Sequence, residues 1–143
     1  MQMKVEKAQP QDAAELSRLL SLLLEEETPE ETVKDLIEKL SIREEYALLA
    51  AKEDGKVLGT AMGVLCQDVC AGARKFLVIE NVMVDERSRG KGAGRALMET
   101  LEAWGKAGGA YYAILVSGRK RQAGHAFYRA LGFQEEKGFR KYF

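Results

Sequence analysis

The stretch from Glu80 to Arg95 constrains this chain more than any other. An apolar run, Phe76 to Ile79, leads into it. A helical pattern leaves it, with Ala93, Ala96, Leu97, Thr100, Leu101 and Trp104 on one face at 3.6-residue spacing. The stretch reads as strand, glycine-rich turn, helix. Such a turn aims several backbone N–H groups and the positive end of a helix dipole at one spot, which suits a phosphate. Its glycines remove the Cβ atoms that would hold a ligand away from the backbone. Arg87, Arg89, Lys91 and Arg95 surround the turn with positive charge.

Two common phosphate loops are excluded by spacing. A P-loop ends in Gly-Lys followed by Ser or Thr, and no such run exists here. A dinucleotide fingerprint started at Gly90 needs its third glycine at position 95, which is Arg95. What remains is Arg-x-x-Gly-x-Gly, filled by Arg89, Gly92 and Gly94. This resembles the pyrophosphate loop of the GNAT superfamily of acyl-CoA-dependent N-acetyltransferases. Val82-Met83-Val84-Asp85 stands in the place of that family's Val-x-Val-Asp strand, and Arg95-Ala96-Leu97-Met98 in that of its helix start. Glu86 departs from the proline that the family often carries there. The resemblance implies acetyl-CoA as cosubstrate. Its contacts would be Val82, Met83, Val84, Arg89, Gly90, Lys91, Gly92, Ala93, Gly94 and Arg95.

The 143 residues amount to about one domain, taken as 1–143, long enough for a real core. No run approaches a transmembrane helix and no signal-peptide pattern opens the chain, so a cytoplasmic protein without a membrane partner is expected. Cys66 and Cys70 make no disulfide framework, and with His125 the single histidine no metal site is expected. Net charge is zero but uneven. Residues 1–58 carry 8 Lys/Arg against 14 Asp/Glu, and 59–143 carry 14 against 8. No basic block or aromatic stripe points to nucleic acid. The asymmetry suits an anionic cosubstrate on the second half and a cationic substrate near the first; solvated helix faces explain it equally well.

Along the chain, Met3–Glu6 reads as a strand. Pro10 and Asp12 open a helix carrying Leu16, Leu19, Leu20, Leu23 and Leu24. Thr28 is expected to cap a second helix, with Pro29 at its first position and Glu31 completing a capping box. Tyr46–Lys52 and Val57–Cys66 form a hairpin across Asp54-Gly55. Gly59 and Gly63 mark bulges or close approaches within it. Lys75–Asp85 is the longest strand, and Tyr111–Val116 reads as a central one. Arg121–Leu131 is helical, with Ala123, Ala126, Phe127, Ala130 and Leu131 as its buried face. Phe133–Glu135 and Phe139–Phe143 suggest a closing strand pair. This order again resembles the GNAT fold. It implies an α+β architecture, a mixed central sheet of about six to seven strands flanked by four helices.

Phe127-Tyr128 with Gly132-Phe133 is similar to the family's Phe-Tyr-x-x-x-Gly-Phe segment, where the tyrosine commonly serves as general acid. Arg121 and Gly124 stand where the family often has Asn and Ala; Arg121 is assigned to a cosubstrate phosphate or amide. Strand alternation places Glu80 in one row with Val78, Val82 and Val84, with Asn81 opposite unless a bulge intervenes. A carboxylate in an apolar row has its proton affinity raised, as a base requires. Glu80, or a water it holds, is the expected base and Tyr128 the expected acid. The reading is direct acetyl transfer to a primary amine of a small molecule. A protein lysine or N-terminus, and a non-catalytic acyl-CoA-binding sensor, are the alternatives. A sensor needs neither Tyr128 nor Glu80. A homodimer is compatible with all of these readings.

Overall fold

The computed structural model describes residues 2–119 and 121–143. Five strands form one mixed sheet in the order β1-β2-β3-β4-β5. These are β1 (Met3–Lys7), β2 (Tyr46–Glu53), β3 (Lys56–Gln67), β4 (Lys75–Val84) and β5 (Ala110–Ile114). The first three pairings are antiparallel and β4 with β5 is parallel. Asp54 and Gly55, both at positive φ (51° and 77°), give β2 and β3 the tight hairpin read from the sequence. The helices are α1 (Ala13–Leu24), α2 (Glu30–Ser41), α3 (Ala93–Ala107) and α4 (Gln122–Ala130). Among the described residues none is long and apolar enough to cross a membrane.

The sheet separates two cores. On one face Leu77 and Ile79 of β4 meet Leu97, Met98 and Leu101 of α3. On the other, Leu16 and Leu19 of α1 and Val33 and Ile37 of α2 lie over Ala50 and Val57. Each fully buried leucine contributes about 1.5–3 kcal/mol relative to an exposed one. The α3 face closes only because two glycines leave room for it. A Cβ on Gly63 of β3 would lie 2.9 Å from Leu101 Cδ2 and 3.2 Å from Trp104 Cζ3. One on Gly105 of α3 would lie 2.9 Å from Leu77 Cδ2.

Three expectations are corrected. The α+β class and the four helices hold, but the described residues contain five strands rather than six to seven. The closing pair is absent, and 134–143 lie outside any helix or strand and are exposed throughout. The charged run Glu135-Glu136-Lys137 gives that segment no alternating apolar face, and a two-stranded ribbon that buries nothing is not stable. β5 is therefore an edge strand, not a central one. Thr28 does not cap α2, whose N-cap is Pro29 without a side-chain bond. Thr28 instead takes a bond from its own N–H to Ser21 Oγ (2.9 Å) and accepts one from Ser17 Oγ, joining the ends of α1 and α2.

Gly63→Ala is expected to destabilise the fold by about 1–3 kcal/mol, because Leu101 and Trp104 must leave their places. Urea unfolding would show a lower midpoint at unchanged slope.

Candidate active site

β4 changes face part-way along. Thr60 of β3 opposes Met83 and Met62 opposes Glu80, so Ala61 faces two residues, Asn81 and Val82. Asn81 sits in the left-handed region at φ 57°, which asparagine tolerates better than most residues. The extra residue is a β-bulge. Leu77 and Ile79 before it, and Val82 and Val84 after it, all pack with the α3 core; Met83 packs with the α1–α2 core. The expected row of Glu80 with Val82 and Val84 is thus broken. Glu80 alternates with Ile79 onto the opposite face and is exposed rather than desolvated.

The ladder between β4 and β5 stops at Val78 opposite Ile114. β4 runs on to Val84, while β5 ends at Ile114. The strands part and leave a wedge. Asp85 N–H donates to Leu58 O of β3 at 2.7 Å, so Val84 before it turns its own N–H and C=O toward the wedge. An extended chain laid there would find an unpaired strand edge.

At the wide end of the wedge the chain turns through Glu86–Ser88 into the glycine loop. Gly90 and Gly92 have φ of 86° and 85°, which any Cβ would strain. Gly92 is the N-cap of the 15-residue α3, and no side chain caps that end. The first helical bond recorded there is Ala96 N–H to Gly92 O (3.0 Å), so the preceding N–H groups are unspent. Three of the four basic side chains around the loop are turned onto carboxylates. Arg87 pairs with Asp85 (3.2 Å), Lys91 with Glu53 (3.3 Å) and Arg95 with Glu99 (3.1 Å). Arg89 has no ion pair among the described residues. These features fit a pyrophosphate. Gly94 has a second use: a Cβ there would lie 3.2 Å from Phe127 Cζ and 3.5 Å from Val84 Cγ2. It admits α4 against α3 and β4.

α4 reaches the wedge by that contact at one end and, at the other, by Gly124 against Ser117 just beyond β5. Its packed side is Gly124, Phe127, Tyr128 and Leu131; the expected Ala123, Ala126 and Ala130 are exposed. Tyr128 belongs to the packed face, edge-on to Phe127 (5.1 Å) and Phe133 (5.9 Å). Burial pushes its hydroxyl above the ordinary tyrosine range, and the Arg121 charge works weakly against this. The group therefore holds its proton across neutral pH, as an acid must. His125 Nε2 lies 2.7 Å from Gly118 O and ties down the loop before the helix. Arg121 donates to Leu23 O in the last turn of α1 (3.0 Å), joining helices from the two faces of the sheet.

One functional group escaped the sequence reading. The Asp85 carboxylate is buried and accepts from Arg18 of α1 (2.6 Å) and from the N–H (3.1 Å) and guanidinium of Arg87. Arg87 and Arg18 together hold it well below the usual carboxylate range. It fixes the entry to the glycine loop and ties that loop to α1. An aspartate directly after a strand and before a turn was the available signal; its distant partner Arg18 was not legible.

A mixed sheet parted beside a glycine-rich helix start, with a protonated tyrosine alongside, defines a CoA-dependent acyltransferase. The profile of the Acetyltransferase (GNAT) family matches residues 13–133, and the chain belongs to that family of acetyl-CoA-dependent N-acetyltransferases. It is 31% identical over 134 residues to an aminoglycoside N(6')-acetyltransferase type 1 of Stenotrophomonas maltophilia, covering 92% of this chain and 86% of that one. It superposes on glucosamine-6-phosphate N-acetyltransferase from Arabidopsis thaliana with TM-score 0.86 at 25% identity, over 100% and 99% of the two chains. An aminoglycoside N-acetyltransferase in complex with CoA shares the fold alone, with TM-score 0.84 at 19% identity over 99% and 93%.

The Asp85 cluster has a definite pH signature. A carboxylate held below its ordinary 3.8 adds stability that is complete above that value and is lost as pH falls through the lower, folded one. Asp85→Asn should cost about 2 kcal/mol at pH 7. The gap from wild type should hold down to about pH 4 and narrow below it, as read from thermal melts across pH.

Proposed function

We infer that this chain moves the acetyl group of acetyl-CoA directly onto the primary amine of a small molecule. The observation that carries this is the wedge, where the unpaired edge of β4 adjoins the uncapped start of α3, and Phe127, next to Tyr128, seats on Gly94. The backbone N–H groups from Gly92 to Arg95, with Arg89, hold the pyrophosphate. Val82 and Val84 pair the pantetheine arm as an added strand would. Met83 contributes backbone rather than side chain, since its side chain packs toward α1 and α2. Acetyl-CoA supplies the activated thioester carbonyl. The N–H of Val84 donates to that carbonyl oxygen as negative charge develops on it. Glu80, exposed at the point where β4 and β5 part, takes the amine proton itself or through water. A bond forms from nitrogen to the acetyl carbon, the carbon–sulfur bond breaks, and Tyr128 gives its proton to the sulfur. Arg121 braces α1 against α4 and reaches the cosubstrate with its remaining donors.

The small-molecule reading draws support from two relatives named for aminated sugars and from the acidic first half of the chain. Acetyl-CoA-dependent thiol release should be measured against aminoglycosides, aminosugars, amino acids and peptides. Turnover confined to peptides would overturn this reading.

Two variants test the parts. Gly92→Asp places a negative charge and a strained φ where pyrophosphate sits. It should abolish the rise in melting temperature that CoA gives the wild type, while leaving a folded domain. Tyr128→Phe should lower single-turnover acetylation by about 10²-fold, at the low end for an acid because a thiolate leaves fairly well unaided. CoA affinity should be unchanged, since the loss belongs to the transition state. An equal rate would make Tyr128 a packing residue.

A further inference from the structure

α3 starts at the wedge, and its last turns lie beside the other end of β5. There β4 and β5 are still laddered, with Leu77 opposite Ala113. A cavity of about 150 Å³ opens between α3 and β5 at this place. Its floor is the buried Leu77. Gly105 and Ala113 put no more than a methyl group into it, and Tyr111 and Tyr112 form an aromatic side. An apolar cavity of about that volume takes up benzene, so this one has room for a ring of about six carbons or a branched chain of similar size.

The rim is charged. Glu102, Gly105 and Lys106 share one face of α3, and all three line the cavity. A glutamate four residues before a lysine is the favoured order for an ion pair along a helix. Arg95 and Glu99, two turns earlier on α3, do pair, at 3.1 Å. Glu102 and Lys106 have no ion pair among the described residues, neither with each other nor with another group. A carboxylate and an ammonium thus stand one turn apart over an apolar floor, and no side chain compensates either.

We propose that this cavity binds a free α-amino acid with an apolar side chain of that size, phenylalanine or leucine. The side chain lies on Leu77 against the tyrosines, which favour an aromatic ring presented edge-on or offset. The α-ammonium donates to the Glu102 carboxylate, and the α-carboxylate accepts from the Lys106 ammonium. A zwitterion answers both charges at once, whereas a simple amine or a simple acid leaves one of them without a partner. The bound nitrogen is held by Glu102 beside the laddered part of the strands and not at the wedge. The amino acid is therefore a second ligand rather than the acetyl acceptor, and the site stands whether or not the acyl-transfer reading does.

The test is calorimetry on the full chain without acetyl-CoA. L-Phenylalanine should bind at one site per chain with a dissociation constant of about 1 mM or tighter, as its size allows. 3-Phenylpropionate, which lacks the ammonium, and 2-phenylethylamine, which lacks the carboxylate, should each bind about 10-fold more weakly, the usual loss for a bond to a charged group. Glu102→Gln should bind L-phenylalanine and 3-phenylpropionate equally, and Lys106→Gln should bind L-phenylalanine and 2-phenylethylamine equally, since each variant lacks the group that tells its pair apart. Amide shifts on titration should centre on Tyr111–Ala113. Should a variant fail to fold, the three ligands and the shift map on wild type decide. The absence of saturable binding overturns the proposal. So does binding that ignores both substitutions or shifts the wedge instead of Tyr111–Ala113, which would place the amino acid elsewhere.

Discussion

The left-handed backbone at Asn81 is the constraint on which the site depends. One extra residue in β4 exchanges the faces of the strand, turning Val82 and Val84 toward the α3 core. It also bends the strand, since a bulge increases local twist. The parallel ladder to β5 stops close before it, at Val78, and the wedge opens. A regular β4 would pair further with β5 and would close the stretch of free strand edge beside the glycine loop. Asparagine bears that conformation at lower cost than a branched residue, so the bulge costs little stability.

The glycine loop and Tyr128 are joined through one contact. Gly94 has two uses: its N–H belongs to the open end of α3, and its missing side chain is the seat of Phe127. Phe127 precedes Tyr128 on the packed face of α4. The glycine turn therefore also fixes where α4, with Tyr128, lies against α3 and β4. Side chains in a close-packed interior transmit displacements of a few tenths of an ångström, so these two parts cannot shift independently.

The legible parts were those carried by local chemistry. The glycine loop, the Asp54-Gly55 hairpin, the four helices and the close approach at Gly63 all followed from residue type and spacing. The bulge did not, because Asn81 in a strand has no local signature that distinguishes it from a polar edge residue. The packed side of α4 was misread because alanines at 123, 126 and 130 look apolar. The helix is instead set by Gly94, far away in sequence, and by Ser117 just before it. β5 read as central because an apolar strand has the same composition whether it is buried by its own sheet or left bare at the edge. Arg18 with Asp85 was invisible for the same reason: a pair 67 residues apart leaves no pattern in either neighbourhood.

Arg121 shows how the two faces of the sheet are held across the wedge. Its guanidinium donates to Leu23 O, in the last turn of α1, where carbonyls lack helical partners and the dipole favours a cation. Arg121 also stands directly before α4, so the bond fixes the start of that helix relative to α1. A guanidinium has five N–H donors, and one bond to a carbonyl leaves most of them free. An asparagine at this position, with two amide donors on a shorter stem, has less reach toward α1. The departure from the family pattern at this position is thus a gain of reach. It links the start of α4 to the end of α1.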